Sequence, residues 1–429
     1  HPIENETTTP ADVANRTRYH RTLFANIQLS RTTYKIPRTL DDNLVDWDNN
    51  VVDRTSSDDL PIFWHVLKSG GTTIKLMYAQ CYHLVEACES GVIAEEIIKN
   101  QGGHQVPPQE WMQEQQQQQA GDNVQERQPS LSDGSVGQNE VSPWEWMQLQ
   151  LQQQFQLDGK KKQRRRQLKP MPLDEEGGGE DTQQMQSQQG SGSEERLRVI
   201  ATEDNRRYVN VDVTTPEGIL KASQMGFGSS DLADVMFTPL LLESAESLLN
   251  DLKRGRMFAI FRHPIDRVVS IFYYLQGATW EPTYNPEFAQ WTIDDYARSE
   301  YCESNWMVRS LTNKMTGPLT PDDILVAQEV LRKKCLVGLL EGMEESMLRF
   351  HSYFRFAGVD NDAALECSRR YFASKDSGQS NSHKHPALDQ GSETWALLAR
   401  KNGLDIRLYE YAQGLFEEQG KWLRKEGLI

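Results

Sequence analysis

The sequence predicts an α/β protein: a mainly parallel sheet flanked by helices and interrupted by a long disordered insertion. Three observations carry this expectation. Short apolar, β-prone runs alternate with segments of helical periodicity, the pattern of βα units. Two of those runs, 61–66 and 257–261, break directly into a polar loop and a helix start. Open parallel sheets bind ligands at such strand ends. The polar excess of the 429-residue chain, with 37% hydrophobic residues and a mean hydropathy of -0.67, is concentrated between about 101 and 196. The remainder has the composition of an ordinary core.

Residues 1–60 lack sustained periodicity and read as a stem with a loosely packed lead-in. The run 61–66 reads as the first strand and 72–90 as the helix behind it. Together they open a domain that spans 61–429. From 101 to 196 the chain is low in complexity, Gln-rich with Gly, Ser and charge blocks. Pro108-Gln109-Glu110-Trp111-Met112-Gln113 recurs imperfectly as Pro143-Trp144-Glu145-Trp146-Met147-Gln148, but two copies do not make a solenoid. Such a segment buries too little apolar surface to offset its ordering entropy. It is expected as a disordered insertion in a loop. Its one strong basic run, KKKQRRRQLK at 160–169, reads first as a solvated charge block balanced by Asp174, Glu175, Glu176, Glu180 and Asp181. Protease cleavage, nuclear import or docking of a polyanionic glycan are the functional readings of such a run.

Order resumes near 197. Segments 197–201 and 208–213 read as strands. Thr215 then caps a helix beginning at Pro216, with Glu217 in its first turn. An apolar-periodic helix is expected at 239–253. The strand 257–261 and the helix 264–275 follow, with Pro264 in the first turn, where a missing N–H costs nothing. Thr320-Pro321-Asp322-Asp323 opens another helix, and a strand is expected at 335–340.

Composition narrows the function. A formal net charge of -16 argues against a general nucleic-acid binder. It does not bar an anionic cofactor, because the local field governs a site. No apolar run reaches the roughly 18 residues that span a membrane. Asn5-Glu6-Thr7 and Asn15-Arg16-Thr17 are glycosylation sequons. Five cysteines leave at least one unpaired within the chain. Cys81 and Cys88 would lie roughly 10 Å apart along one helix, too far for a bond between them. They are expected as two core cysteines in a packed stripe with Ile74, Met77, Tyr78, Leu84 and Val85. Cys302 and Cys335 could pair with each other or with Cys367. No spacing fits a zinc site.

The chemistry is concentrated in two segments. In IFWHVLKSGGTT, 62–73, a strand breaks into Lys68-Ser69-Gly70-Gly71, and Thr72-Thr73 opens a helix. Glycines allow a sharp turn and close backbone approach. N–H groups at a helix start have no internal partner and favour an anion. Lys68 adds a charge, and Thr72 and Thr73 add hydroxyls. The loop is not G-x-x-x-x-G-K-[ST], because its lysine precedes its glycines. In RMFAIFRHPIDRVVSIFYYL, 256–275, Arg262 ends a strand and Ser270 lies eight residues further, on the next helix. A guanidinium can fork onto a phosphate and a hydroxyl can donate to it.

Together the two segments resemble the sulfotransferases that use 3′-phosphoadenosine-5′-phosphosulfate (PAPS). His65-Val66-Leu67-Lys68-Ser69-Gly70-Gly71-Thr72-Thr73 is similar to the family's 5′-phosphosulfate loop, with Leu67 where proline is usual. Arg262-His263-Pro264-Ile265-Asp266-Arg267-Val268-Val269-Ser270 is similar to its 3′-phosphate segment. LDIRLYEYAQGLF, 404–416, resembles the closing helix of the Golgi carbohydrate sulfotransferases, and CLVGLLE, 335–341, the strand before it. The likeness covers about 61–100 and 200–429. It implies a P-loop-like sulfotransferase fold and transfer of a sulfuryl group from PAPS to a carbohydrate hydroxyl, with no metal. With the sequons it also implies a type II membrane protein of the Golgi lumen whose anchor has been removed. Lys68, Ser69, Gly70, Gly71, Thr72 and Thr73 would then hold the 5′-phosphosulfate, and Arg262 and Ser270 the 3′-phosphate. Lys68 would offset charge on the leaving oxygen. Relatives place their base near the end of the second strand. Taking that strand as 208–213, Asp212 and Glu217 are the expected bases, with His65 and His83 behind them. Lys384, in the polar flap 374–391, could reach the cofactor or acceptor. A P-loop-type nucleotide kinase and a non-catalytic scaffold acting through the Gln-rich segment are the rival readings.

Overall fold

The computed structural model describes residues 34–48, 59–100, 196–279, 281, 283–356, 358–373 and 385–429. Both sequons, the Gln-rich segment with its basic run, and Lys384 lie outside the described residues. Among the described residues there are seven strands: β1 (Leu60–Trp64), β2 (Val85–Ala87), β3 (Val199–Ala201), β4 (Arg207–Val209), β5 (Val235–Thr238), β6 (Gly255–Phe261) and β7 (Cys335–Leu339). They form one sheet in the order β3-β4-β2-β5-β1-β6-β7. Every neighbouring pair is parallel except β3 with β4 at one edge.

Alternation along β1 builds both halves of the core. Ile62 and Trp64 face one layer with Met236, Met257, Ala259 and Phe261. Phe63 faces the other with Phe237, Phe258 and Ile260. All seven residues of β6 are buried, as expected of a strand covered on both faces. Helices Leu241–Leu248, Trp306–Thr312, Pro321–Lys334 and Gly403–Lys425 line the first layer. Helices Gly71–Gln80 and Met343–Phe354 line the second. The lead-in contributes too: the helix Arg38–Asn43 buries Leu40, and Leu44 bridges to Gly255.

Several elements fall where the sequence puts them. The helix Pro264–Leu275 has the expected bounds, Thr215 accepts from the Gly218 N–H, and Thr320 forms a capping box with Asp323. Others are corrections. The helix expected at 72–90 ends at Gln80. The chain turns through His83, which has φ +52°, and forms β2 before the next helix, Glu89–Asn100. Short apolar runs are ambiguous between helix and strand; here pairing with β4 and β5 decides. The strand β5 was not anticipated, and the helix after it is only Leu241–Leu248.

The cysteine reading also changes. Cys81, expected as a core thiol, forms a disulfide with Cys367, with Cα atoms 5.5 Å apart. Because the helix stops at Gln80, Cys81 sits at its C-cap beside the helix Asn361–Ala373. Cys88, Cys302 and Cys335 are buried free thiols, so the alternatives left open for Cys302 and Cys335 are not taken up. No helix among the described residues is long and apolar enough to cross a membrane.

Candidate anion-binding and transfer site

The Lys68 loop leaves the carboxyl end of β1. The Val66 N–H donates to the Trp64 carbonyl (2.9 Å) and that of Ser69 to Val66 (3.3 Å). The turn then needs positive φ twice, +62° at Lys68 and +89° at Gly70. Gly70 meets this without strain. A Cβ there would also lie 2.5 Å from Met343 Cε, and one at Gly71 would lie 2.2 Å from His65 Nε2. The turn thus favours glycine at 70, and the His65 ring leaves little room for a side chain at 71. The Gly70 carbonyl accepts from Thr73 and Ile74 as the helix begins. The N–H groups of Gly70 and Gly71 meet no acceptor among the described residues. Ser69 is 1% exposed, and its hydroxyl is likewise unpartnered.

The second segment is brought against the first because β6 pairs with β1. Arg262, just past the end of β6, donates from Nη1 to the Lys68 carbonyl at 3.2 Å. Ser270 lies on the helix that follows and is largely buried. Arg267, the next arginine along the segment, turns inward. It is fully buried and pairs with Glu303 and, at 3.9 Å, with Asp405. Asp405 also accepts from the N–H groups of Met307 and Val308. Arg267 therefore braces the helix and does not point at a ligand. His385 stacks on Tyr273 with ring centroids 5.2 Å apart, which sets the residue after Lys384 on this same helix.

The Lys68 ammonium rests 4.3 Å from the centroid of the Tyr274 ring. Burial pushes its pKa down from 10.5 to about 8; Arg262 adds to the shift and Glu281 opposes it. A buried lysine beside a guanidinium and the unpartnered N–H groups of Gly70 and Gly71 makes this the candidate place for an anion.

The expected bases are not brought to this place. Asp212 follows β4, which two strands separate from β1, a distance of roughly 14 Å at ordinary strand spacing. Both of its oxygens are occupied locally. One accepts from the N–H and hydroxyl of Thr214 (both 2.7 Å), the other from the Thr215 hydroxyl (3.0 Å). Asp212 thereby organises the cap of the helix Pro216–Gln224, and Glu217 is exposed in that helix's first turn. His83 precedes β2, so it lies at the opposite edge of the sheet. His65 is near, but burial, then Lys75, push its pKa down to about 3. It is neutral and a poor proton acceptor.

The helix after β2 brings a carboxylate to this side of the sheet. Glu89 starts the helix after β2, on the same edge as the Lys68 loop. Lys75, one turn into the Lys68-loop helix, donates to both Glu89 oxygens, at 2.5 and 2.7 Å. The Lys75 side chain is 10% exposed and that of Glu89 40%, so the carboxylate is the open partner. Burial tends to raise the Glu89 pKa, but Lys75 outweighs it and holds the group ionised. Behind the pair, Glu86 is buried with one oxygen unpartnered, and burial keeps it protonated. Carrying a helix through 90 hid Glu89. The signal that could have exposed it is the carboxylate pair Glu86 and Glu89 inside an apolar run.

Among the described residues no group of His, Cys, Asp and Glu side chains is placed to hold a metal ion. Compared with known proteins, the chain matches no family model, no curated protein and no solved structure.

Proposed function

We propose that this chain is a PAPS-dependent sulfotransferase that transfers a sulfuryl group to a hydroxyl of a carbohydrate acceptor. The observation that carries this reading is the hydrogen bond from Arg262 to the Lys68 carbonyl. It holds the Lys68 loop against the end of β6, so that Lys68 and Arg262 lie close together. A nucleotide carrying phosphates at both its 5′ and 3′ positions would bring one anion to each loop. The residues present fit it. Gly70 and Gly71 offer free N–H groups, Lys68 and Arg262 offer charge, and Ser270 offers a hydroxyl. The lysine precedes the glycines, which disfavours a P-loop kinase.

Bound PAPS would supply a sulfuryl group already activated by its phosphate leaving group. Lys68 offsets the negative charge that grows on the bridging oxygen as the S–O bond opens. Arg262 and Ser270 hold the distant phosphate and fix the register. Glu89 would take the proton of the acceptor hydroxyl as its oxygen bonds to sulfur, releasing Lys75 from one of its two oxygens to do so; the Glu89 side chain, 40% exposed, is the open partner of that pair. A stable disulfide is characteristic of oxidising compartments, which supports a Golgi-lumenal site of action.

Calorimetry with 3′-phosphoadenosine-5′-phosphate and with ATP tests the reading. Tight binding of the former and weak binding of ATP is the expected result. Preference for ATP would point to a kinase, and binding of neither to a scaffold. Either of those outcomes overturns the proposal.

A further inference from the structure

Lys68 does not hang free in its loop. Its backbone is pinned by the turn and by Arg262 on its carbonyl. Its side chain crosses to the helix Pro264–Leu275, where Nζ lies 4.3 Å from the Tyr274 ring centroid. The Tyr274 hydroxyl donates to Glu281 Oε1 at 2.6 Å. Glu281 is fixed in turn by backbone bonds, from its own N–H to Ala278 and from the Tyr284 N–H to its carbonyl. Tyr274 is four residues after Ser270, so the two share one helix face. That face presents a hydroxyl to the candidate 3′-phosphate position and an aromatic ring to Lys68.

We propose that Tyr274 and Glu281 form a perch for the Lys68 ammonium and act as positioning residues for the transfer step. The catalytic part of this inference rests on the sulfotransferase reading above; the perch itself does not. An aromatic face attracts a cation without consuming its N–H donors in an ion pair. Glu281 is engaged by the Tyr274 hydroxyl, and Lys68 forms no ion pair among the described residues. The carboxylate therefore lends its field while the ammonium stays available to an incoming oxygen. The groups that act on Lys68 are Arg262 at the end of β6, Glu281 beyond the helix, Tyr274 beneath it and neutral His65 behind the loop. Glu281 is the carboxylate that opposes burial and Arg262. Without the perch, Lys68 would lose its proton more readily and its fixed direction as well.

The test follows Lys68 directly. Competitive acetylation of lysines across pH 6–11, read by mass spectrometry of the Lys68 peptide, gives its titration midpoint. It is applied to the full protein, to Tyr274→Leu, Tyr274→Phe and Glu281→Gln, with thermal unfolding as the check on fold. The midpoint is expected to fall below the wild-type value in Tyr274→Leu and in Glu281→Gln. Tyr274→Leu should also lower kcat by roughly two- to thirtyfold, the range of one cation–π contact, with KM for PAPS changing less. Tyr274→Phe keeps the ring and should restore most of kcat. Coincident titration curves in folded wild type, Tyr274→Leu and Glu281→Gln would overturn the perch. If Tyr274→Leu does not fold, Glu281→Gln alone decides. A lowered midpoint in a protein that binds no 3′-phosphoadenosine-5′-phosphate would uphold the perch and remove the sulfotransferase reading.

Discussion

Titrating Lys68 should change how tightly the site holds a nucleotide. Folding pushes this lysine down from 10.5 to about 8, so the free protein loses the charge as pH rises through about 8. A phosphate beside Nζ favours the charged form and returns the pKa toward its ordinary value. Binding must therefore take up a proton, and affinity must fall with rising pH. About nine-tenths of Lys68 is charged at pH 7 and about one-tenth at pH 9. Affinity for 3′-phosphoadenosine-5′-phosphate is then about tenfold weaker at pH 9 than at pH 7, a difference of about 1.4 kcal/mol. The ligand's phosphates are already ionised over this window, so the slope belongs to the protein. Calorimetry in two buffers of different ionisation enthalpy should show about half a proton taken up near pH 8. Lys68→Met should bind more weakly at pH 7 and show neither slope nor uptake. Because the folded pKa is depressed, charged Lys68 also costs stability. That cost is complete below about pH 8 and fades as pH rises toward 10.5. Lys68→Met is expected to be more stable at pH 7 by about 1–3 kcal/mol. Equal affinity at pH 7 and 9, or a slope that persists in Lys68→Met, would refute the account of Lys68 as the buried charge of the anion site.

Arg262→Ala and Ser270→Ala should weaken PAPS far more than adenosine 5′-phosphosulfate, which lacks the 3′-phosphate; equal losses for both ligands in competition assays would displace the two residues from that role. Glu89→Gln should reduce turnover by roughly a hundredfold or more while barely changing PAPS affinity, whereas Asp212→Asn should mainly lower Tm by loosening a helix cap; the reverse pattern in steady-state kinetics and thermal melts would return Asp212 to the base. Cys81→Ser should cost roughly 2–5 kcal/mol in urea unfolding, and a difference under ~0.5 kcal/mol would mean the disulfide braces little. Deleting 104–194 should leave a cooperative melt and nucleotide binding, since Glu95 and Arg198 pair at 2.6 Å across the two rims of the insertion; a lost transition would place that segment in the core.

How much was legible in the sequence depended on whether the signal was local. The two anion loops could be read because their chemistry is written in consecutive residues. Pro264 and Thr320 fixed helix starts for the same reason. The strands β2 and β5 were not legible because each is short, and only pairing with its neighbours tells it from a helix end. That one misreading moved the second strand from 85–87 to 208–213. It carried the expected base to Asp212 and left Glu89 unread. The disulfide was hidden differently. Its partners are 286 residues apart, and nothing near Cys81 announces Cys367. The Tyr274 perch was likewise out of reach, since it depends on β6 lying beside β1.

The order of the sheet has a consequence for how the chain could be processed. β1 and β2 precede the long insertion, and the other five strands follow it. Each of the early strands lies between two late ones: β2 between β4 and β5, β1 between β5 and β6. The Cys81–Cys367 bond also joins an early residue to a late one. A protease cutting at the basic run 160–169 would therefore divide the polypeptide without dividing the molecule. The product would be a two-chain protein, interlaced strand by strand and held by one covalent bridge. It would migrate as a single species without reductant and as two fragments with it. Its anion site would contain Lys68 from one fragment and Arg262 from the other.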